Sequence, residues 1–208
     1  MTHEKVFQDT IEWYNKNAEK YFENTKSHPR NVPLFISLLS GKKILDAGSG
    51  PGHDTKMFSD MGYDVTGIDI STKLLDVARK KFPHCSFVEG DLLSLRFDDQ
   101  TFDGIWSQAS LLHLETVDEV KNALNEFHRV LKPHGILYVR VKEQQRGQAK
   151  TIVVNDTGEH RRFFRFFTKE ELGKLFINSG FSIIESEIQD STHGISEGSI
   201  IMIIGKKN

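Results

Sequence analysis

The sequence predicts a doubly wound α/β fold, with a mostly parallel sheet of about seven strands, helices on both faces and an antiparallel strand pair at the C-terminus. Short apolar runs alternate with helical patterns from residue 43 to residue 141. Such alternation lays parallel strands beneath crossover helices, and the right hand of those crossovers leaves few topologies. The last two apolar runs, 181–188 and 199–205, are joined by a stretch without helical pattern, 189–198, and so pair antiparallel at one sheet edge.

Taken in order, residues 10–25 bring Trp13, Tyr14, Ala18, Tyr21 and Phe22 to helical spacing, and 32–39 form a second helical segment after the punctuation of Pro29 and Pro33. Lys43–Ala47 is a short buried strand that runs into a glycine loop, 55–61 a helix ended by Gly62, and Asp64–Asp69 a second strand. Ser71 caps a helix carrying Leu74, Leu75, Ala78 and Phe82. Ser86–Glu89 and 102–106 are the third and fourth strands. An amphipathic helix over 117–131 is stopped by Lys132-Pro133-His134-Gly135, and 136–141 is the fifth strand. Thr168 caps a helix that runs to Asn178 and ends at Gly180. The whole chain, 1–208, reads as a single domain, with 1–40 as an N-terminal helical cap and 143–167 as an insertion or lid.

The balance of 27 Lys and Arg against 29 Asp and Glu gives a formal charge of −2, without the basic excess that phosphate contacts demand, so nucleic acid is disfavoured as a partner. The single cysteine, Cys85, excludes an intramolecular disulfide and reads as a small buried hydrophobe. The N-terminus is polar, and the longest apolar run, 200–204, is far too short to span a bilayer; the expected location is cytoplasmic, without membrane attachment. No histidines stand at HxxxH spacing and no Cys/His cluster exists, so no metal site is expected.

The segment Asp46-Ala47-Gly48-Ser49-Gly50-Pro51-Gly52-His53 follows the first strand. Its glycines let the backbone turn sharply and approach a ligand closely, at the strand ends where open sheets bind. Asp69 ends the next strand, where a carboxylate can accept from a ribose diol. Together they imply an adenosine-containing cofactor. His53 stands where a dinucleotide fingerprint needs its third glycine, and Asp46 at the loop entrance would repel a pyrophosphate but suit a cationic amino-acid moiety.

At these residues the chain resembles the class I S-adenosylmethionine-dependent methyltransferases. The resemblance rests on ILDAGSGPG, DVTGIDIS, EGDLLSL, FDGIWSQASLLHL and LKPHGILYVRVK in order, and is close over residues 40–142. It implies a Rossmann-like domain using S-adenosylmethionine and releasing S-adenosylhomocysteine. It further implies that Gly48, Gly50 and Gly52 line the methionine portion, with Asp46 near its amino group. Asp69 would hold the ribose, Ile70 pack on the adenine face, Asp91 accept from its amine with Leu92 adjacent, and Ser107 and Gln108 reach the cofactor or substrate mouth. The expected reaction is methyl transfer to the O or N of a small molecule, with a tRNA or protein methyltransferase and a non-catalytic S-adenosylmethionine sensor as alternatives. The expected assembly is a monomer or homodimer.

His113 is the candidate general base, against a reading in which it only bonds the lid. Tyr14 and Tyr21 are candidates to cover the substrate, against a plain core stripe. Lys142, Glu143, Arg162 and Arg165 could face the acceptor. The lid run HRRFFRF fits an anionic small substrate, a solvated strand or, less well given the charge, RNA.

Overall fold

A computed structural model describes residues 3–25, 31–155, 160–191 and 198–208. Helices α1 (His3–Lys16), α2 (Ala18–Asn24) and α3 (Val32–Leu38) lead into β1 (Lys43–Ala47), α4 (His53–Asp60), β2 (Asp64–Asp69), α5 (Thr72–Lys81), β3 (Ser86–Glu89) and β4 (Phe102–Gln108). A short 3-10 turn, Leu111–His113, precedes α6 (Val117–Val130) and β5 (Leu131–Lys142). Then come β6 (Thr151–Val154), β7 (Arg162–Arg165), α7 (Lys169–Asn178), β8 (Phe181–Ser191) and β9 (Gly198–Lys207).

Seven strands form one sheet in the order β3-β2-β1-β4-β5-β9-β8. β1 pairs parallel with β2 and β4, β2 with β3, and β4 with β5, while β9 runs antiparallel to both β5 and β8. This is the doubly wound sheet with an antiparallel edge pair that the alternation predicts. The winding reverses between β1 and β4, which opens a crevice at their carboxyl ends. On one face Leu45, Ile105, Leu137 and Ile203 pack against α6 and α7; on the other, Phe35 and Phe58 close over Ile44, Trp106 and Tyr138. Burial on both faces explains why the central strands read as continuous apolar runs.

Local differences from the sequence reading have local causes. The helix expected over 10–25 is two helices, broken at Asn17, whose Nδ2 donates to the Trp13 carbonyl at 2.8 Å and competes with helix propagation. The helix expected from residue 55 starts at His53, because Gly52 caps it in the left-handed region at φ 87°. The run Lys132-Pro133-His134-Gly135 does not separate helix from strand. β5 begins at Leu131, opposite Phe102, and a register shift absorbs these residues before Gly104 pairs with Ile136. β8 and β9 continue their ladder to Ser191 and Gly198, so most of the predicted linker lies outside the described residues, as do Pro29 and positions 156–159 of the lid. Within 143–167, β6 and β7 form a separate antiparallel ladder against the 3-10 turn and α1. Among the described residues, no helix is long and apolar enough to cross a membrane.

Candidate active site

A cavity lies at the carboxyl ends of β1, β2 and β4, roofed by α1 and α2. Its floor begins with the loop after β1. The Gly48 and Ser49 amides donate to the Ile68 carbonyl, which seats the loop on β2. Gly48, at φ 82°, has no room for a side chain: a Cβ there would stand 2.3 Å from that of Ser110. At Gly50 the nearest atom to a Cβ would be Tyr21 Cε1 at 4.0 Å, so its bare face looks into the cavity. Gly52 does not line the cavity. Its missing Cβ makes way for Phe87 Cζ, 2.6 Å from where it would be, and lets α4 pack closely.

Asp69 accepts from the Gly50 amide through Oδ2 and from the Ser71 amide through Oδ1, each at 2.8 Å. Each oxygen keeps a further lone pair, and the carboxylate lines the cavity. Burial raises its pKa, against the pull of those amides. Ile70, Asp91 and Leu92 line the same wall, and Asp91 Oδ1 accepts from the Leu93 amide at 2.9 Å. Asp46 lies beneath the wall and does not line it. Its Oδ2 accepts from Thr55 at 2.6 Å, and burial, reinforced by the charge of Asp54, holds its pKa well above the carboxylate range. Gln108 lines the cavity; Ser107 is fully buried under it, its hydroxyl paired at 2.7 Å with that of Ser110.

The roof is aromatic. The rings of Tyr14 and Tyr21 meet edge to face at 5.2 Å, and both line the cavity. His113 lines it too. Its Nδ1 lies 2.7 Å from the Phe163 carbonyl, which can only accept, so Nδ1 carries the proton. Nε2 is then the acceptor for the Tyr14 hydroxyl at 2.9 Å. Desolvation lowers its pKa to about 4, and the cationic field of Arg162 and Lys142 acts in the same direction. Tyr14 stays a phenol, its pKa raised well above 10 by burial.

The four lid-side candidates separate. Arg162 is buried behind the roof, its Cζ 3.7 Å from the Trp13 ring centroid, and it hydrogen-bonds Tyr14. Lys142 lies over the Phe164 ring at 4.7 Å. Arg165 does not face the cavity: it donates to the carbonyls of Leu114 and Glu115, clamping the end of the 3-10 turn. Glu143 is also off the wall, its backbone bridged to Phe167 and Ser199. The reading of HRRFFRF as a solvated strand does not hold, because both faces of β7 are buried. Phe7, Thr10, Ile11 and Ser110, beyond the residues the motifs single out, also line the cavity. The aromatic spacing starts at Trp13, and Phe7 and Ile11 continue the same face toward the N-terminus.

These residues fit S-adenosylmethionine. Asp69 offers two open lone pairs, Gly50 a cradle without a side chain, and Asp46 a buried carboxyl, raised by burial, whose charge a nearby cationic amino acid would favour. His53 makes the loop unlike a dinucleotide site in another way. Its ring stacks on Phe22 at 4.6 Å and its Nε2 donates to the Phe22 carbonyl, tying α2 to the loop.

Sheet order and floor together define the class: an α/β domain built around an adenosyl sulfonium. Residues 45–139 match the methyltransferase-domain family. A demethylmenaquinone methyltransferase of Renibacterium salmoninarum is 35% identical over 135 residues, 64% of this chain and 56% of its own length. A solved S-adenosylmethionine-dependent methyltransferase of Methanosarcina mazei is 25% identical with a TM-score of 0.76, over 84% of this chain and 97% of that one. The 1,6-didemethyltoxoflavin-N1-methyltransferase of Burkholderia thailandensis, solved with its acceptor and S-adenosylhomocysteine, shares the fold at 22% identity and a TM-score of 0.76, over 98% of this chain and 87% of that one. The chain spans about half the length of the curated relatives it matches. The domain match, the relatives and the fold together support a class I S-adenosylmethionine-dependent methyltransferase.

Proposed function

We propose that this chain transfers a methyl group from S-adenosylmethionine to an oxygen or nitrogen of a small-molecule acceptor held between floor and roof. The observation that carries this reading is the aromatic roof: Tyr14 and Tyr21 line the same cavity as Gly50 and Asp69, so a small acceptor can be held between rings and floor. The curated relatives named for demethylmenaquinone and for malonyl-[acyl-carrier protein] support a small acceptor group.

Bound S-adenosylmethionine supplies a methyl group already activated on a sulfonium. The side chains then chiefly align the acceptor, and proximity and orientation contribute about 7–11 kcal/mol. In this reading Asp69 holds the ribose, Asp91 and the Ile70–Leu92 pair the adenine, Gly48 and Gly50 the methionine portion, and Asp46 its charge from beneath. Gln108 bounds the mouth, with Ser107 supporting Ser110. Tyr14 and Tyr21 cover the acceptor. His113 orients Tyr14, and a proton leaving the acceptor would reach Nε2 only by way of the Tyr14 hydroxyl.

Labelled donor offered with small acceptors, bulk tRNA and protein lysate tests the reading. Label entering small molecules supports it, and label confined to RNA or protein overturns it. Tight cofactor binding by calorimetry with no transfer at all would favour the sensor.

A further inference from the structure

Charge is segregated across the cavity. The floor is acidic, with Asp69 and Asp91 on its wall and Asp46 and Asp54 beneath. The roof is backed by cations resting on aromatic faces. Lys142 Nζ lies 4.7 Å from the Phe164 centroid and makes no carboxylate contact among the described residues. Arg162 stacks on Trp13 and reaches the same Phe164 ring at 5.2 Å. The ring of His113 also meets Phe164, at 5.0 Å. Neither cation lines the cavity: Arg162 stands behind Tyr14, and Lys142 stands behind Phe164, which backs His113; the charge of Arg162 is felt at Tyr14, Tyr21 and His113, and that of Lys142 at His113. Phe7, Ile11 and Leu114 add apolar lining to the cavity.

We propose that the acceptor is a small acid with an apolar body, bound as its anion beneath the Lys142–Phe164–Arg162 stack. The proposal rests on the methyltransferase reading and narrows its substrate class. Two features favour an anion over an amine or alcohol. A desolvated negative group gains from two cations held close by in a medium of low dielectric, whereas an ammonium would be repelled. Nor is His113 a ready base: its Nδ1–H is committed to Phe163, its Nε2 is occupied by Tyr14, and it resists protonation. An anion needs no base. A lone pair of the carboxylate oxygen makes the new O–C bond as the S–C bond breaks, and the S–C electron pair stays on sulfur. A neutral ester and a neutral thioether remain, with no proton left over.

The test uses the full chain saturated with S-adenosylhomocysteine, titrated calorimetrically with matched acid and amide pairs: benzoate and benzamide, cinnamate and cinnamamide, octanoate and octanamide. At least one acid is expected to bind ten times more tightly than its amide, and labelled S-adenosylmethionine to convert that acid to its methyl ester. In Lys142→Met the preference is expected to fall at least fivefold, and in Lys142→Glu to vanish, with S-adenosylhomocysteine affinity reporting that each variant is folded. Arg162→Met should act the same way; should it unfold, the Lys142 pair decides alone. Amides or amines binding as well as acids, no saturable binding by any acid, or an intact preference in Lys142→Glu each overturn the proposal. Failure to bind S-adenosylhomocysteine would instead bring down the methyltransferase reading beneath it.

Discussion

Gly50 and Asp69, which meet on the floor of the cavity, are 19 residues apart and joined across adjacent parallel strands. On the roof, Thr10 accepts from the Phe163 amide across 153 residues, and His113 reaches the Phe163 carbonyl across 50. The floor is made by one supersecondary unit, so its geometry follows once β1 and β2 pair. The roof exists only when α1, the 3-10 turn and β7 arrive together. Floor residues therefore act on binding with little effect on folding, and roof residues act on both.

Four changes probe that contrast, in falling order of effect. Trp13→Ala removes a buried ring and the face on which Arg162 rests; it is expected to cost about 3–5 kcal/mol in urea unfolding, with faster amide exchange in α1 and β7 than in β1. Uniform exchange along the chain would merge the two regions into one. Asp69→Ala is expected to weaken S-adenosylmethionine binding at least tenfold at nearly unchanged stability, since hydrogen bonds to a charged group contribute about 1.5–3 kcal/mol. Unchanged affinity by calorimetry would remove Asp69 from the ribose.

The third change concerns pH. His113 has a folded pKa of about 4, below its unfolded value near 6.5, so between those values the unfolded chain holds more protons. Its contribution is whole above pH 6.5 and is lost as pH falls toward 4, with a slope of up to about 1.4 kcal/mol per pH unit. The raised carboxyls of Asp46 and Asp69 work in the opposite sense, so the readout is the difference between the wild type and His113→Gln. Parallel stability profiles would contradict the buried neutral ring. The smallest effect is expected at Thr116→Ala, which breaks the capping box of α6 with Glu119, just past the 3-10 turn and outside the cavity lining. It should cost about 1 kcal/mol and leave cofactor affinity as it was. A changed affinity there would deny that the floor is self-contained.

The same contrast explains what the sequence discloses. Lys43–Ala47, Asp64–Asp69 and Ser86–Glu89 are strands with the bounds their apolar runs suggest, and Gly48, Gly50 and Asp69 line the cavity at the ends of the first two. Each of those features is decided within about twenty residues. Arg162 and Arg165 look alike in sequence, two cations in one aromatic run. The first meets Trp13 and the second the carbonyls of Leu114 and Glu115, and nothing within the run records either partner. His53 shows the same limit: its absence of glycine excludes one cofactor class, but its grip on Phe22 depends on a helix docked from elsewhere.

The stacking of Arg162 on Trp13 carries a consequence for descent. A guanidinium buried against an indole loses part of its surroundings once the indole is gone. Lineages that exchange one of these residues are expected to exchange the other or lose the lid, so inheritance should treat the pair as a single trait while drift scatters the exposed positions between them.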